Sequence, residues 1–533
     1  MVTTKRRRPI GMFDEVMEVT FDEPVPGAEP VPDNVPAARV KISKSKFVAG
    51  MQCLKRLYWE VHEPELGAVP DPSALARLQQ GHEVGRLARE LFPGGVEIQS
   101  TRENLEDAIR ATRELVVNRE VPAIFEATFE HGGVLVRVDI LQRRDGKRWR
   151  LLEVKSTADL KDYHVYDVAI QSRVLSRCGV KLSSSVLMHL NRDYVFQGGS
   201  YDPRQLFRIR NLNRQLLKLE RKLTKQLREE FHILRGSQPP EVDAGRHCQK
   251  PVRCEFFDCC NPILPVDHVR HLPRISPRAL DELRKLGVEA IPDIPDDFPL
   301  NVQQSRAHAS VKAGRVFCSA ELNKQLHSLK FPLAFMDFET VNPALPRFVG
   351  MRPFDYLPFQ WSVHRQNTPT EAPEHFEFLA DDDGDPRLAF VQSLLKAIQG
   401  AATIVVYYGQ FESGRLSELA EWFPQHRKEI AHVQTKIWDL LPVVRDNVYH
   451  RDFRGSFSLK RVLPALVPEM SYEGMEVSDG TEAGLAWEKM RSLARGAESR
   501  QGLRHALLAY CEQDTLAMVR LLDVLRSVNT APA

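Results

Sequence analysis

Two stretches, GGVLVRVDIL at residues 132–141 and WRLLEVKS at 149–156, alternate apolar and polar side chains on either side of RRDGKR. A period of two suits only an extended strand with one buried face. Asp145–Gly146 between them is a strong hairpin-turn signal, so this part of the chain is committed to an antiparallel pair. Val134, Val136, Val138 and Ile140 take one face, leaving Arg137 and Asp139 on the other. Glu153 and Lys155, two apart, share a face, and a loop over Asp145–Lys147 sets Asp139 across from Glu153. Two carboxylates and an ammonium then converge. Such an oxygen-rich set suits magnesium or manganese, and Lys155 would stabilise charge developing during phosphodiester hydrolysis. The competing reading is an ion pair on a solvent-facing strand.

Helical periodicity surrounds the hairpin in ALARLQQGHEVGRLARELF, NLEDAIRATRELV and RNLNRQLLKLERKLTKQLREEF. With these elements in place, residues 42 to 262 resemble the PD-(D/E)xK nucleases, specifically the RecB-like branch that includes CRISPR-associated exonucleases. The resemblance implies a restriction-endonuclease-like core with flanking helices. It assigns the metal-binding Asp and ExK to Asp139, Glu153 and Lys155, and the Gln of the following helix to Gln171 in DVAIQSRVL. Two positions depart from the family pattern: its trailing tyrosine is Leu175, and its upstream histidine falls on Gly85. His82, about one turn early, is kept as a candidate metal ligand. Glu126 in IFEATFEHGG is either a further carboxylate or an exposed glutamate.

Residues 247–260 read HCQKPVRCEFFDCC, four of the eight cysteines in the chain. A reducing compartment disfavours a disulfide, leaving metal, cluster or inert thiols. Cys248, Cys254 and Cys260 follow Cx5Cx5C, wider than the paired knuckles of structural zinc. Upstream, Cys53 lies in CLKRLYW, which is similar to the CPRRFYL motif of RecB-like members that carry a four-iron, four-sulfur cluster. That resemblance implies Cys53, Cys248, Cys254 and Cys260 as cluster ligands and Cys259 as a bystander. A cluster there would close the loop that carries the nuclease core. Zinc and plain buried cysteines are the alternatives.

A second region opens with the strand PLAFMDFET, whose alternation puts Asp337 and Glu339 on one face. AATIVVYYGQFESGRLSELA reads as a strand, a loop and a helix starting near Glu412. In LLAYCEQDTLAMVRLLDVL, helical spacing puts Tyr510 and Asp514 on one face. This order resembles the ribonuclease H-like 3′-5′ exonucleases of the DEDD type, with YCEQD matching the YxxxD motif of the DEDDy branch. The resemblance implies Asp337, Glu339 and Asp514 as ligands of two magnesium or manganese ions and Tyr510 as the residue orienting the attacking water. Glu412 stands where that family has aspartate, its extra methylene moving the carboxylate by about 1.5 Å. The basic segment SFSLKRV is a candidate substrate contact.

The chain has 533 residues, too many for one core, and the expected organisation is a mixed α/β protein in four parts. These are a disordered tail (1–38), a RecB-like domain (39–262), a helical connector (263–328) and a ribonuclease H-like domain (329–533). In the connector, LRKLGVEAIPDI is either half of a helix-hairpin-helix clamp or a plain link. The net charge of +2 does not point to nucleic acid by itself. No apolar run approaches a membrane span, and the N-terminus lacks a signal-peptide core, so a cytoplasmic protein without a membrane partner is expected. Taken together, the resemblances imply a metal-dependent deoxyribonuclease, an exonuclease on single-stranded or broken DNA ends in repair or defence, working beside a helicase or another repair protein. A nucleic-acid-binding scaffold with degenerate sites and an RNA-processing exonuclease are the alternatives.

Overall fold

The computed structural model describes residues 41–528 apart from Pro70, Ser100, Arg102, Gly146 and Pro262. The tail at 1–38 and the glycine of the Asp145–Gly146 turn lie outside the described residues. The fold is mixed α/β. Two compact units divide the chain: the first takes the residues up to Val69, Leu78–Tyr194 and Ser200–Cys260, and the second takes the rest.

Among the described residues, the first unit has one seven-stranded sheet of β1 (Ile42–Ser43), β2 (Val96–Glu97), β3 (Ala123–His131), β4 (Val134–Arg143), β5 (Trp149–Lys155), β6 (Leu182–Leu190) and β7 (Phe207–Asn211). β3, β4 and β5 form an antiparallel meander. β6 then runs parallel to β5 after a crossover through the Asp162–Arg177 helix. The β4–β5 register pairs Ile140 with Leu152 and Arg143 with Trp149. The paired ladder ends at Ile140 and Leu152, and the Asp139 carboxylate accepts from the Val154 amide. Val136, Val138, Leu141 and Leu151 of the hairpin share one core cluster with Val168 and Val174 of the crossover helix. Burying each such side chain stabilises the unit by roughly 1.5–3 kcal/mol. The Asn213–Arg235 helix closes the core with Leu216, Leu223 and Leu234.

The second unit contains β8 (Phe317–Cys318), β9 (Leu333–Val341), β10 (Leu357–Gln366), β11 (Glu374–Leu379), β12 (Thr403–Val406), β13 (Ile437–Asp439) and β14 (Val448–Tyr449). Its main sheet has the order β11-β10-β9-β12-β13, with β10 antiparallel to β9 and β12 parallel to it. The chain therefore leaves the central strand β9 in both directions, the kind of switch point where α/β sheets bind ligands beyond their strand ends.

Residues 263–328, expected as a connector, contribute Val269, Leu272, Leu283, Ile291 and Ala307 to the same core as Leu333 and Phe335 of β9. The segment LRKLGVEAIPDI folds as a helix, a glycine turn and a short second element. The Pro277–Lys285 helix ends at Gly287, whose φ of 70° suits glycine. The element that follows is the Ile291–Asp293 3-10 turn, and Pro295 just beyond it has no amide N–H to extend it.

Candidate functional sites

In the first unit the sheet brings Asp139, Glu153 and Lys155 together, and the crossover helix adds Gln171. Gln171 Nε2 donates to Glu153 Oε2 at 2.8 Å, and the Val154 amide donates to Asp139 Oδ2 at 2.7 Å. Two further residues complete the site. Asp167, one turn before Gln171, lies with Oδ2 2.5 Å from Lys155 Nζ, which is also 2.6 Å from Glu153 Oε1. Lys44, the first residue of the Lys44–Gln52 helix, places its Nζ 3.0 Å from both Glu153 oxygens, 3.8 Å from Asp139 and 4.0 Å from Asp167.

These contacts set the protonation. Burial would raise Glu153, but Lys155 and Lys44 outweigh it and hold the carboxyl well below its ordinary range. Burial followed by repulsion from Glu153 pushes Asp139 up to about 7 and raises Asp167 as well. Burial lowers both lysines, yet the surrounding carboxylates override it and keep them charged. Three carboxylates thus surround one cation position, and Lys44 holds it. The oxygens of Asp139, Glu153 and Asp167 do not gather within 4.8 Å of one another as those of Asp337, Glu339 and Asp514 do, so with Lys44 and Lys155 in place the three carboxylates form an ion-pair network.

His82 is exposed on the Pro72–Arg89 helix and joins no group of three metal-ligating residues among those described. The extra group that Glu153 meets is Lys44. Glu126 is ion-paired to Arg89 at 2.7 Å. Asp167 had a legible signal, its i, i+4 spacing to Gln171; Lys44 had none.

Cys53, Cys248, Cys254 and Cys260 line one small cavity, partly open to solvent, together with Arg56, Trp59 and His247. Cys53 sits in extended conformation at the elbow between the Lys44–Gln52 and Leu54–His62 helices. Gln52 Nε2 ties that elbow to the cysteine loop through the carbonyls of His247 at 2.6 Å and Val252 at 2.8 Å. Burial pushes the Cys254 thiol up to about 11 and raises Cys260, with the neighbouring sulfurs adding to both. Cys259 is exposed, and its Sγ lies 3.4 Å from the Leu66 carbonyl instead of lining the cavity. No three sulfurs among the described residues come within 4.8 Å of one another. Tetrahedral zinc with 2.3 Å bonds needs about 3.8 Å between sulfurs, so the thiols as placed are not gathered for zinc.

In the second unit, one face of β9 runs Leu333, Phe335, Asp337, Glu339, apolar at its start and acidic at its end. The Glu498–Val528 helix packs against this sheet. Ser362 and His364 of β10 bond Thr515 Oγ1 at 2.7 and 2.8 Å, and Gln360 Nε2 donates to the Leu507 carbonyl at 2.7 Å. These bonds fix the helix register and so the place of Asp514. Asp337, Glu339 and Asp514 each offer an oxygen within 4.8 Å of the others.

Glu412 arrives from the first turn of the Gly409–Trp422 helix. That turn is held by Asp439, which accepts from the Tyr408 and Gly409 amides at 3.0 and 2.9 Å while Tyr408 adopts φ 89°. Burial, then the charge of Asp337, pushes Glu412 up to about 9, and its buried Oε2 has no hydrogen-bond partner among the described residues. Burial and Asp514 push Asp337 up to about 8, and burial raises Glu339 and Asp514 too. Acids raised in this way require protons or a cation, so the set fits divalent metal.

Tyr472, which sequence reasoning missed, donates its hydroxyl to Asp514 Oδ1 at 2.5 Å. Its ring lies 6.4 Å from that of Tyr510. Burial and then Asp514 raise both phenols, which stay protonated donors. Lys460, within the SFSLKRV segment, sits 5.5 Å from the Tyr510 ring and is the cation that opposes protonation of these acids.

Residues 334–458 match a family described as a domain of unknown function, DUF2779. The match includes Asp337, Glu339 and Glu412 and stops before Tyr510 and Asp514. Comparison with curated proteins finds no match. A solved structure titled "Crystal structure of SSO0001" aligns at 15% identity over 43% of this chain and 89% of its own, with a TM-score of 0.20. Among the described residues, no helix is long and apolar enough to cross a membrane.

Proposed function

We propose that the protein is a metal-dependent nuclease that hydrolyses phosphodiester bonds in DNA, working as an exonuclease on single-stranded or broken ends. The observation that carries this reading is the group of half-buried Asp337 with buried Glu339 and Asp514 at the end of β9, with Glu412 close by. Asp337, Glu339, Glu412 and Asp514 would hold magnesium or manganese, which supplies Lewis acidity for phosphodiester hydrolysis. The chain's own contribution is placement: Tyr472 orients Asp514, Tyr510 offers a second phenol beside it, and Lys460 adds positive charge for a phosphate. The first site supports the same chemistry through Asp139, Glu153 and Asp167, with Lys155 held between Glu153 and Asp167.

The thiol-lined cavity supports a four-iron, four-sulfur cluster on Cys53, Cys248, Cys254 and Cys260. Thiols kept reduced for that purpose, and the substrate class, favour a cytoplasmic location. A helicase or another repair protein is the partner class that work on DNA ends implies. The second reading, a nucleic-acid-binding scaffold, is favoured by one observation: Lys44 holds the cation position of the first site.

End-labelled single-stranded DNA incubated with purified protein and magnesium or manganese tests the proposal. Cleavage lost in Asp337→Ala or Lys155→Ala assigns the activity to a unit. No cleavage by the wild type with either metal would sink the enzyme and leave the scaffold, and cleavage confined to an RNA substrate would redirect it to RNA processing.

A further inference from the structure

The Asn213–Arg235 helix carries a feature that neither acidic site uses. Lys218, Arg221, Lys225, Arg228, His232 and Arg235 follow one another at intervals of three and four residues, which sets all six on one face. All six are exposed. The opposite face holds Leu216, Leu223 and Leu234, buried in the core. The acidic residues of the helix do not balance the stripe: Glu230 is buried and Glu220 pairs with Arg173 of the crossover helix. Among the described residues only Lys225 of the six has a carboxylate within reach, Glu229 at 3.7 Å.

Like charges spaced i, i+3 and i, i+4 repel and weaken a helix by roughly 0.2–0.5 kcal/mol per pair. A merely solvated helix face relieves this by interleaving acids, and here Glu229 alone does so against six basic groups. From Lys218 to Arg235 the stripe extends about 25 Å at 1.5 Å per residue, with a basic group about every 5 Å. Over that length one strand of duplex presents about seven phosphates. The helix also packs directly on the one carrying Asp167 and Gln171, where Lys222 Nζ meets the Tyr166 hydroxyl.

We propose that this face is a phosphate track by which the protein grips the backbone of its nucleic acid. The inference rests on the proposed function for its class of partner, but its test is independent of cleavage. Binding of fluorescently labelled DNA is measured in EDTA over a range of salt for the wild type and the triple variant Arg221→Gln, Lys225→Gln, Arg228→Gln. The expected result is a Kd raised about 10- to 100-fold near 0.1 M salt and a salt slope smaller by about 2–3. The charge-preserving variant Arg221→Lys, Arg228→Lys keeps the wild-type slope, and unchanged thermal melting of both variants shows that they are folded.

A folded triple variant with wild-type affinity and slope overturns the track. So does a variant that keeps DNA binding while losing affinity for phosphatidylserine vesicles, which would make the face a membrane contact. A protein that binds through the stripe but never cuts overturns only the nuclease reading. One that cuts with an unchanged slope overturns only the track.

Discussion

Lys44 Nζ stands 3.0 Å from each carboxylate oxygen of Glu153, joining the Lys44–Gln52 helix to a strand residue 109 positions further on. The ammonium occupies the place where a metal would meet Asp139, Glu153 and Asp167. A divalent ion bound there, as proposed, would have to compete with the protein's own cation.

Lys44→Gln removes that competitor. Manganese should bind the first site about 10-fold more tightly, a difference of about 1.4 kcal/mol, as read by electron paramagnetic resonance in an Asp337→Asn background that silences the second site. Without metal the variant should lose about 1–3 kcal/mol of stability, because Glu153 keeps only part of its compensation. Unchanged or weaker manganese binding would show that Lys44 does not compete for the site.

The second site should make stability depend on pH. Asp337 and Glu412 titrate near 8 and 9 in the folded chain, above the 3.8 and 4.5 of free carboxyls. Between about pH 4 and 9 the folded state then holds more protons than the unfolded one, so their contribution weakens as pH rises through that window. Urea unfolding in EDTA should show Asp337→Asn gaining on the wild type as pH goes from about 5 to 8, with manganese cancelling the difference. A gap that does not change with pH would contradict these shifts.

Tyr472→Phe deletes the donor to Asp514. About 0.5–1.5 kcal/mol of stability should go with the hydrogen bond. With that stabilisation of the charged form gone, the acid limb of any cleavage profile should move to higher pH. Tyr510→Phe is the comparison: a larger shift there than in Tyr472→Phe would reverse the ranking of the two phenols.

Cys254→Ser should abolish the brown colour and the absorption near about 400 nm that a four-iron, four-sulfur cluster gives, and should lower the melting temperature of the first unit. Cys259→Ser should change neither, since its sulfur lies outside the cavity. Protein prepared without oxygen that is colourless and loaded with zinc would refute the cluster.

Much of the local structure was legible in the sequence, because it follows from periods that the chain carries itself. The strand pair around Asp145, the helix bearing Tyr510 and Asp514, and the alternation of β9 are all short-range consequences of backbone geometry. The connector was less legible. Residues 263–328 look like proline-rich punctuation, and their apolar side chains reveal their role only against β9.

The sequence by itself determined which residue types lie at which spacing, and so which carboxylates and thiols were candidates. The tertiary structure alone decided their company: Lys44 rather than His82 beside Glu153, Tyr472 on Asp514 across 42 positions, and Cys53 in the cavity of Cys248, Cys254 and Cys260. The physical reason is that a charge buried in a low-dielectric site is stable only with a partner, and such partners come from whichever elements the core packs together, a long-range choice that no local period encodes.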